Sequence, residues 1–325
     1  MARTFDELKT ILRPEGVVRG EMAFDPEKCV SCGQCIDNCV FRCLEMGPDG
    51  APRMKQEQGC FSCFNCLATC PSDAVSIVRA YHVEGGFYDT GEPALLPPRE
   101  PKDAQGQPAQ WTEVERTILR RRSVRNFKPD PVPEPLIERV LEAGRFAPSA
   151  GNNQPWRFVV VTDPVLLQQM EGACQAVFAG MHEAYADDAK VMGLVEMMGE
   201  PVPVGFFDPR VQVGVGCVAR RELRSFLGAP CAIFVLSCDK MVGPEMQAGI
   251  CLENMNLAAC SLGLGFCWSG FASGIANVPE FAARLGIAEP WRLVMTGVMG
   301  YPAFSQEGLV PRHDRPVTWF RPQSS

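Results

Sequence analysis

The sequence predicts an α+β protein in two unequal parts: a small cysteine-bound module, then a larger core mixing helices with buried strands. Three observations lead there. Two cysteine runs of the same spacing fall between residues 29 and 70, in a stretch too short to bury much of a core. A segment rich in proline and glycine, Gly85 to Gln110, then interrupts the chain. Beyond it, helical periodicities alternate with short apolar runs of strand length.

The runs are Cys29-Val-Ser-Cys32-Gly-Gln-Cys35-Ile-Asp-Asn-Cys39 and Cys60-Phe-Ser-Cys63-Phe-Asn-Cys66-Leu-Ala-Thr-Cys70-Pro71. Both read C-x2-C-x2-C-x3-C, which lets one tight loop aim three sulfurs at a cuboidal iron–sulfur cluster. The fourth cysteine of such a run usually crosses to the other cluster. Cys29, Cys32, Cys35 and Cys70 are therefore expected at one [4Fe-4S] cluster, and Cys60, Cys63, Cys66 and Cys39 at the second. Zinc sites take separated pairs, and disulfides need an oxidising compartment to which nothing in the sequence points. The segment resembles a bacterial two-cluster ferredoxin. It departs from that pattern at Val40, where the family usually has proline, and Cys43 adds a further thiol beside the first run.

The chain has 325 residues, enough for one large core and a small module. Its formal charge of −7 provides no global basic field for nucleic acid or anionic lipid. The other cysteines (Cys174, Cys217, Cys231, Cys238, Cys251, Cys260, Cys267) sit among apolar or small residues and read as core. That usage implies a reducing compartment. With no apolar leader segment and no run approaching the ~20 apolar residues of a spanning helix, a cytoplasmic protein is expected.

Residues 1–20 form a lead-in with helical spacing at Phe5, Leu8, Ile11 and Leu12, expected to pack elsewhere on the protein. The cluster module is assigned to 21–84, the linker to 85–111 and the second domain to 112–325. Thr112-Glu-Val-Glu115 is a capping box that opens a helix to about Arg122. Leu136, Ile137, Val140 and Leu141 mark a second helix. Phe158–Val161, Cys231–Cys238 and Arg292–Val298 read as strands, and Glu245–Leu262 as an apolar helix for a core or subunit interface. Residues 165–228 give no clean period.

Three distant stretches look like the nitroreductase family of flavoproteins. They are Arg121-Arg122-Ser123-x-Arg125, Pro148-Ser149-x-x-Asn152-x-Gln154-Pro155-Trp156, and Gly263-Leu-Gly265-x-Cys267-Trp268-x-Gly270, and the resemblance spans about residues 113–320. Singly they have plainer readings: a solvated helix end, a turn and a helix C-cap. The resemblance implies a central sheet flanked by helices, assembled as an intertwined homodimer with FMN at the interface. It implies that Arg121, Arg122, Ser123, Arg125 and Arg315 bind the ribityl phosphate and nearby ring edge. Arg312 joins that arginine set, since guanidinium forks suit phosphate. Pro148, Ser149 and Asn152 would approach the flavin from the partner subunit, and Gly265, Cys267, Trp268, Ser269 and Gly270 would lie along the ring.

Clusters pass single electrons and a flavin can deliver a hydride, so the expected activity runs from clusters to FMN to a small electron-poor organic acceptor, such as a nitroaromatic or a quinone. An external ferredoxin or NAD(P)H is the expected donor. Two other readings stand beside this one: NAD(P)H reduces FMN and the clusters export electrons, or the chain is a non-catalytic carrier. His82, His182 and His313 form no triad or zinc pattern, so no catalytic side chain is assigned. Tyr185 is a candidate proton donor, and Phe206 and Phe207 are candidates for the substrate pocket.

Overall fold

The computed structural model describes residues 3–55 and 59–322. The lead-in folds as α1 (Phe5–Leu12), with the Thr4 hydroxyl accepting from the Glu7 N–H and the Glu7 carboxylate accepting from the Thr4 N–H. Leu8, Ile11 and Leu12 point into the main core, so this helix packs across the chain as expected. β1 (Val17–Val18) follows.

The cysteine module is a pseudo-repeat. β2 (Glu21–Phe24), α2 (Gln34–Asp37), β3 (Leu44–Met46) and β4 (Pro52–Met54) precede α3 (Asn65–Thr69), β5 (Val75–Arg79) and β6 (His82–Val83). β2 pairs with β5, β3 with β4, and β1 with β6, all antiparallel. The two runs bend alike: Ser31 and Ser62, Gly33 and Phe64, and Arg42 and Asp73 all take positive φ at matching positions. Left-handed backbone is costly for residues other than glycine, and it recurs at functional loops that the surroundings hold in place. Here it turns each loop so that one short helix leads from the third cysteine to the fourth. Met22, Phe64, Ala68 and Val75 form a small core that Val310, from the far end of the chain, completes.

The proline-rich segment stays largely exposed and carries β7 (Leu95–Leu96), whose Leu96 is exposed as well. α4 (Glu113–Arg120) starts at the expected capping box on Thr112 and stops short of Arg122. α5 (Glu134–Arg145) and β8 (Trp156–Val161) follow. The stretch that gave no clean period contains α6 (Pro164–Tyr185), α7 (Asp188–Met198) and α8 (Pro209–Ala219). Next come β9 (Cys231–Cys238), α9 (Pro244–Ser261), β10 (Gly265–Trp268), α10 (Gly270–Ser273), α11 (Pro279–Arg284), β11 (Trp291–Gly300) and β12 (Arg312–His313), which pairs with β7.

One antiparallel sheet, in the order β10-β11-β9-β8, carries the larger part. Every residue of β9 is buried, because helices cover both faces. Ala232, Phe234 and Leu236 meet the core residues of α6, α8 and α1 on one side. Cys231, Ile233 and Val235 meet those of α5 and α9 on the other. This is an α+β fold with a helix-flanked sheet. α9 buries only a stripe through Ala248, Cys251, Leu252, Met255 and Ala259, while Met246 and Ile250 face outward.

Candidate active site

The Arg121–Arg125 segment leaves α4 and runs beside the edge strand β10. The Val124 N–H donates to the Phe266 carbonyl at 3.0 Å, and Ser123 bridges to Phe266. So close an approach leaves no room for a side chain at Gly265, where a Cβ would lie 2.7 Å from Val124 Cγ1. Gly265→Ala is expected to destabilise the fold by about 1–3 kcal/mol. Adding Val124→Ala should recover only part of that loss, because the Val124 Cβ itself would still lie 2.8 Å from the new methyl, as measured by urea unfolding of the FMN-free protein.

This packing gathers cations. Arg121, Arg122 and Arg312 lie within electrostatic reach of one another, although β12 enters from the opposite end of the chain. Burial, with Arg312 and Arg121 nearby, pushes the Arg122 guanidinium down to about 10. Its Nη2 donates to the Gly308 carbonyl at 3.0 Å, and its buried Nε has no partner. Arg121 is offset by Glu253 at 3.2 Å, and burial lowers Arg312 as well. Crowded, desolvated guanidinia with an open donor fit a phosphate.

Ser123 and Arg125 reach Cys267, which is 3% exposed between β11 and the arginine segment. Trp268 follows with a buried, unpartnered indole N–H, an available donor beside the expected ring site. The Ser269 hydroxyl is already engaged, donating to the Ser225 carbonyl at 2.6 Å and accepting from the Ala272 N–H to cap α10 at Gly270. Pro148, Ser149 and Asn152 stand on a separate exposed corner after α5, where Ser149 accepts from the Gln154 N–H and Asn152 takes positive φ. Arg315 is exposed and bonds to His313.

Of the pocket candidates, Phe206 is half-exposed, whereas Phe207 is fully buried beside Tyr185, with ring centroids 6.0 Å apart. Phe207 is core because α8 and α1 close over it. Tyr185 donates to the Phe206 carbonyl at 2.6 Å, so its hydroxyl fixes the backbone, and burial raises its pKa.

The cysteines of the two runs lie within electrostatic reach of one another. Cys35 senses Cys32 and Cys70, whereas Cys60 and Cys66 sense Cys63 and Cys39. Cys29 opens the first run, its N–H donating to the Asp25 carbonyl. Burial first, then these neighbours, push Cys35 and Cys60 up to about 11. The last cysteines of the two runs are matched: Cys39 accepts from the Cys43 N–H, and Cys70 from the Ala74 N–H, each at 3.3 Å. The buried Cys43 thiol lowers Cys39 by hydrogen bonding and donates to the Gly59 carbonyl. Among the described residues, no three His, Cys, Asp or Glu side chains converge as they would around a single ion. A cuboidal cluster holds its thiolates farther apart than one ion does.

The residues that join the two parts carry no motif in the sequence. Asn38, just before Cys39, accepts from Asn126 Nδ2 at 2.9 Å, and Thr69, just before Cys70, donates to the Ser305 carbonyl at 2.7 Å. The Gly308 N–H donates to the Ala68 carbonyl, while the Gly308 carbonyl receives Arg122. Cys39 and Arg125 line one cavity of about 250 Å³ at this junction.

A helix-flanked antiparallel sheet with an arginine cluster at its edge strand suits a phosphate-bearing cofactor. Residues 118–301 match the model of the nitroreductase family, and the chain belongs to that family. It is 34% identical over 201 residues to 5,6-dimethylbenzimidazole synthase of Rhodobacter capsulatus, covering 58% of this chain and 84% of that one. It is 41% identical over 80 residues to an NADH dehydrogenase of Thermus thermophilus, and that match covers 25% of this chain and 36% of the relative. Among solved structures, an FMN-bound nitroreductase of Desulfitobacterium hafniense matches with a TM-score of 0.50 and 26% identity, over 65% of this chain and all of that one. The protein is an FMN-dependent oxidoreductase of nitroreductase type acting on a small organic substrate. Among the described residues, no helix is long and apolar enough to cross a membrane.

Proposed function

We propose that residues 21–84 form a two-[4Fe-4S] module that feeds electrons through the chain to FMN in residues 112–325, with residues 85–111 as linker, for reduction of an electron-poor organic acceptor. The observation that carries this reading is the crossed sorting of the cysteines beside a hydrogen-bonded junction with the arginine segment. Buried thiols that raise one another's pKa need a cation or donated hydrogen bonds to persist as thiolates, and iron would supply the cation. Cys29, Cys32, Cys35 and Cys70 would hold one cluster, and Cys39, Cys60, Cys63 and Cys66 the other.

Arg121, Arg122 and Arg312, with Ser123 and Arg125, would neutralise the FMN phosphate and fix its ribityl end. Trp268 and Cys267, with Gly265, Ser269 and Gly270, would bound the ring. Bound FMN supplies two-electron hydride chemistry to the acceptor. The exposed corner at Pro148, Ser149 and Asn152, and the outward Met246 and Ile250 of α9, suit a second copy of the chain, with Arg315 reaching the shared site. We take the partner to be an identical subunit and the donor to be a reduced ferredoxin.

A second reading, NAD(P)H oxidation with electron export through the clusters, is favoured by the relative named as an NADH dehydrogenase. The test of the cluster assignment is iron and acid-labile sulfide analysis of anaerobically purified protein, with electron paramagnetic resonance after reduction. About eight irons and about eight sulfides per chain are expected for two cuboidal clusters. FMN with no sulfide would refute it.

A further inference from the structure

The junction between the parts is built at matching positions of the pseudo-repeat. Asn38 and Thr69 each occupy the position before a crossover cysteine, and each hydrogen-bonds into the flavin domain. Their partners are firmly held. Asn126 lies next to Arg125, its carbonyl accepts from the Ala303 N–H at 3.0 Å, and the following segment is tied by Lys128 to Tyr301. Asn38 is fully buried, yet its Nδ2 has no partner. A buried amide donor without an acceptor is costly. Placed beside a proposed cluster ligand, it is accounted for if a bound group accepts from it. The cavity shared by Cys39 and Arg125 lies at the same seam.

We propose that Asn38 and Asn126 are a positioning pair for electron transfer, holding the cluster ligated by Cys39 at a fixed separation from the flavin end marked by Arg125, with the free Asn38 amide donor serving a cluster sulfur. This rests on the two-cluster reading above. A low-potential one-electron donor such as reduced ferredoxin is oxidised at the module. Two single-electron passages across the seam, with protons taken from solvent, complete the reduction of the flavin. Thr69 and Ser305 form the second anchor, so the module stays docked when one bond is lost.

The test is flash photoreduction of the anaerobic holoprotein, following cluster and flavin absorbance, in wild type and in Asn126→Ala. The intramolecular phase is expected to slow by about tenfold in the variant, the factor equivalent to about 1.4 kcal/mol. Iron, sulfide and FMN contents and FMN affinity should be unchanged, which a purely structural loss would not leave intact. Asn126→Ser, which keeps a donor, should restore part of the rate. A wild-type rate in Asn126→Ala with full cofactor content would overturn the proposal. If Asn126→Ala loses its clusters, Asn126→Ser decides: slowed transfer supports the pair, and an unaltered rate overturns it. Absence of any cluster signal in wild type would instead refute the two-cluster reading, and the pair with it.

Discussion

Cys63→Ser is expected to abolish turnover driven by reduced ferredoxin while FMN remains bound. Cys63 is exposed at the turn of the second run and lies within electrostatic reach of Cys60 and Cys66. Serine oxygen is a hard, poorly ionised ligand for iron that prefers thiolate. Loss of an outer-shell partner alone typically costs about 10–100-fold in metal affinity, so loss of a direct ligand should cost more. Donor-dependent turnover should fall by at least about a hundredfold. FMN should remain because none of the hydrogen bonds that join the module to the arginine segment runs through Cys63. The module itself should melt earlier, since a stretch this short would depend on the proposed clusters for stability. Turnover at the wild-type rate in the variant would show that electrons do not enter through this run.

Arg122→Ala should weaken FMN binding by about a hundredfold, the loss expected for one or two charge-assisted hydrogen bonds of about 1.5–3 kcal/mol each. Arg122 is 8% exposed and retains a buried, unpartnered Nε. Arg122→Lys should rescue poorly, because an ammonium cannot reproduce the planar fork. The FMN-free variant should be about as stable as the FMN-free wild type. Removing the guanidinium relieves its crowding with Arg121 and Arg312, which offsets the lost bond to the Gly308 carbonyl. Fluorescence titration of the apoprotein with FMN, alongside urea unfolding, separates the two effects. Undiminished affinity would remove Arg122 from the phosphate site.

Much of this architecture is legible in the chain because the signals are local. The capping box at Thr112 and the largely apolar β9 each involve neighbours in sequence, and each appears where the residues place it. Residues 165–228 were opaque for a physical reason. α6 buries Met170, Cys174 and Phe178 on one side while carrying further small and apolar residues elsewhere, so no polar face marks its period. Phe207 illustrates another limit: an aromatic beside Phe206 in sequence points into the core, and only the fold separates the two.

The candidate site was legible as motifs and not as contacts. Nothing in sequence pairs Asn38 with Asn126, Thr69 with Ser305, or Arg122 with Gly308, because those bonds close over long separations. An asparagine before a crossover cysteine is the one available signal, and its burial becomes visible only once the module docks. Arg312 was marked by residue type alone. Its approach to Arg121 and Arg122 depends on β12 pairing with β7.

Electrons are expected to travel from the cysteine module to FMN within one chain. An anaerobic stopped-flow trace with reduced ferredoxin, recording cluster and flavin absorbance together, tests it most directly. The clusters should bleach first and the flavin follow, in a phase whose rate is independent of protein concentration. Rapid flavin bleaching by NADH, with the clusters lagging and no response to reduced ferredoxin, would contradict it and make the module an outlet.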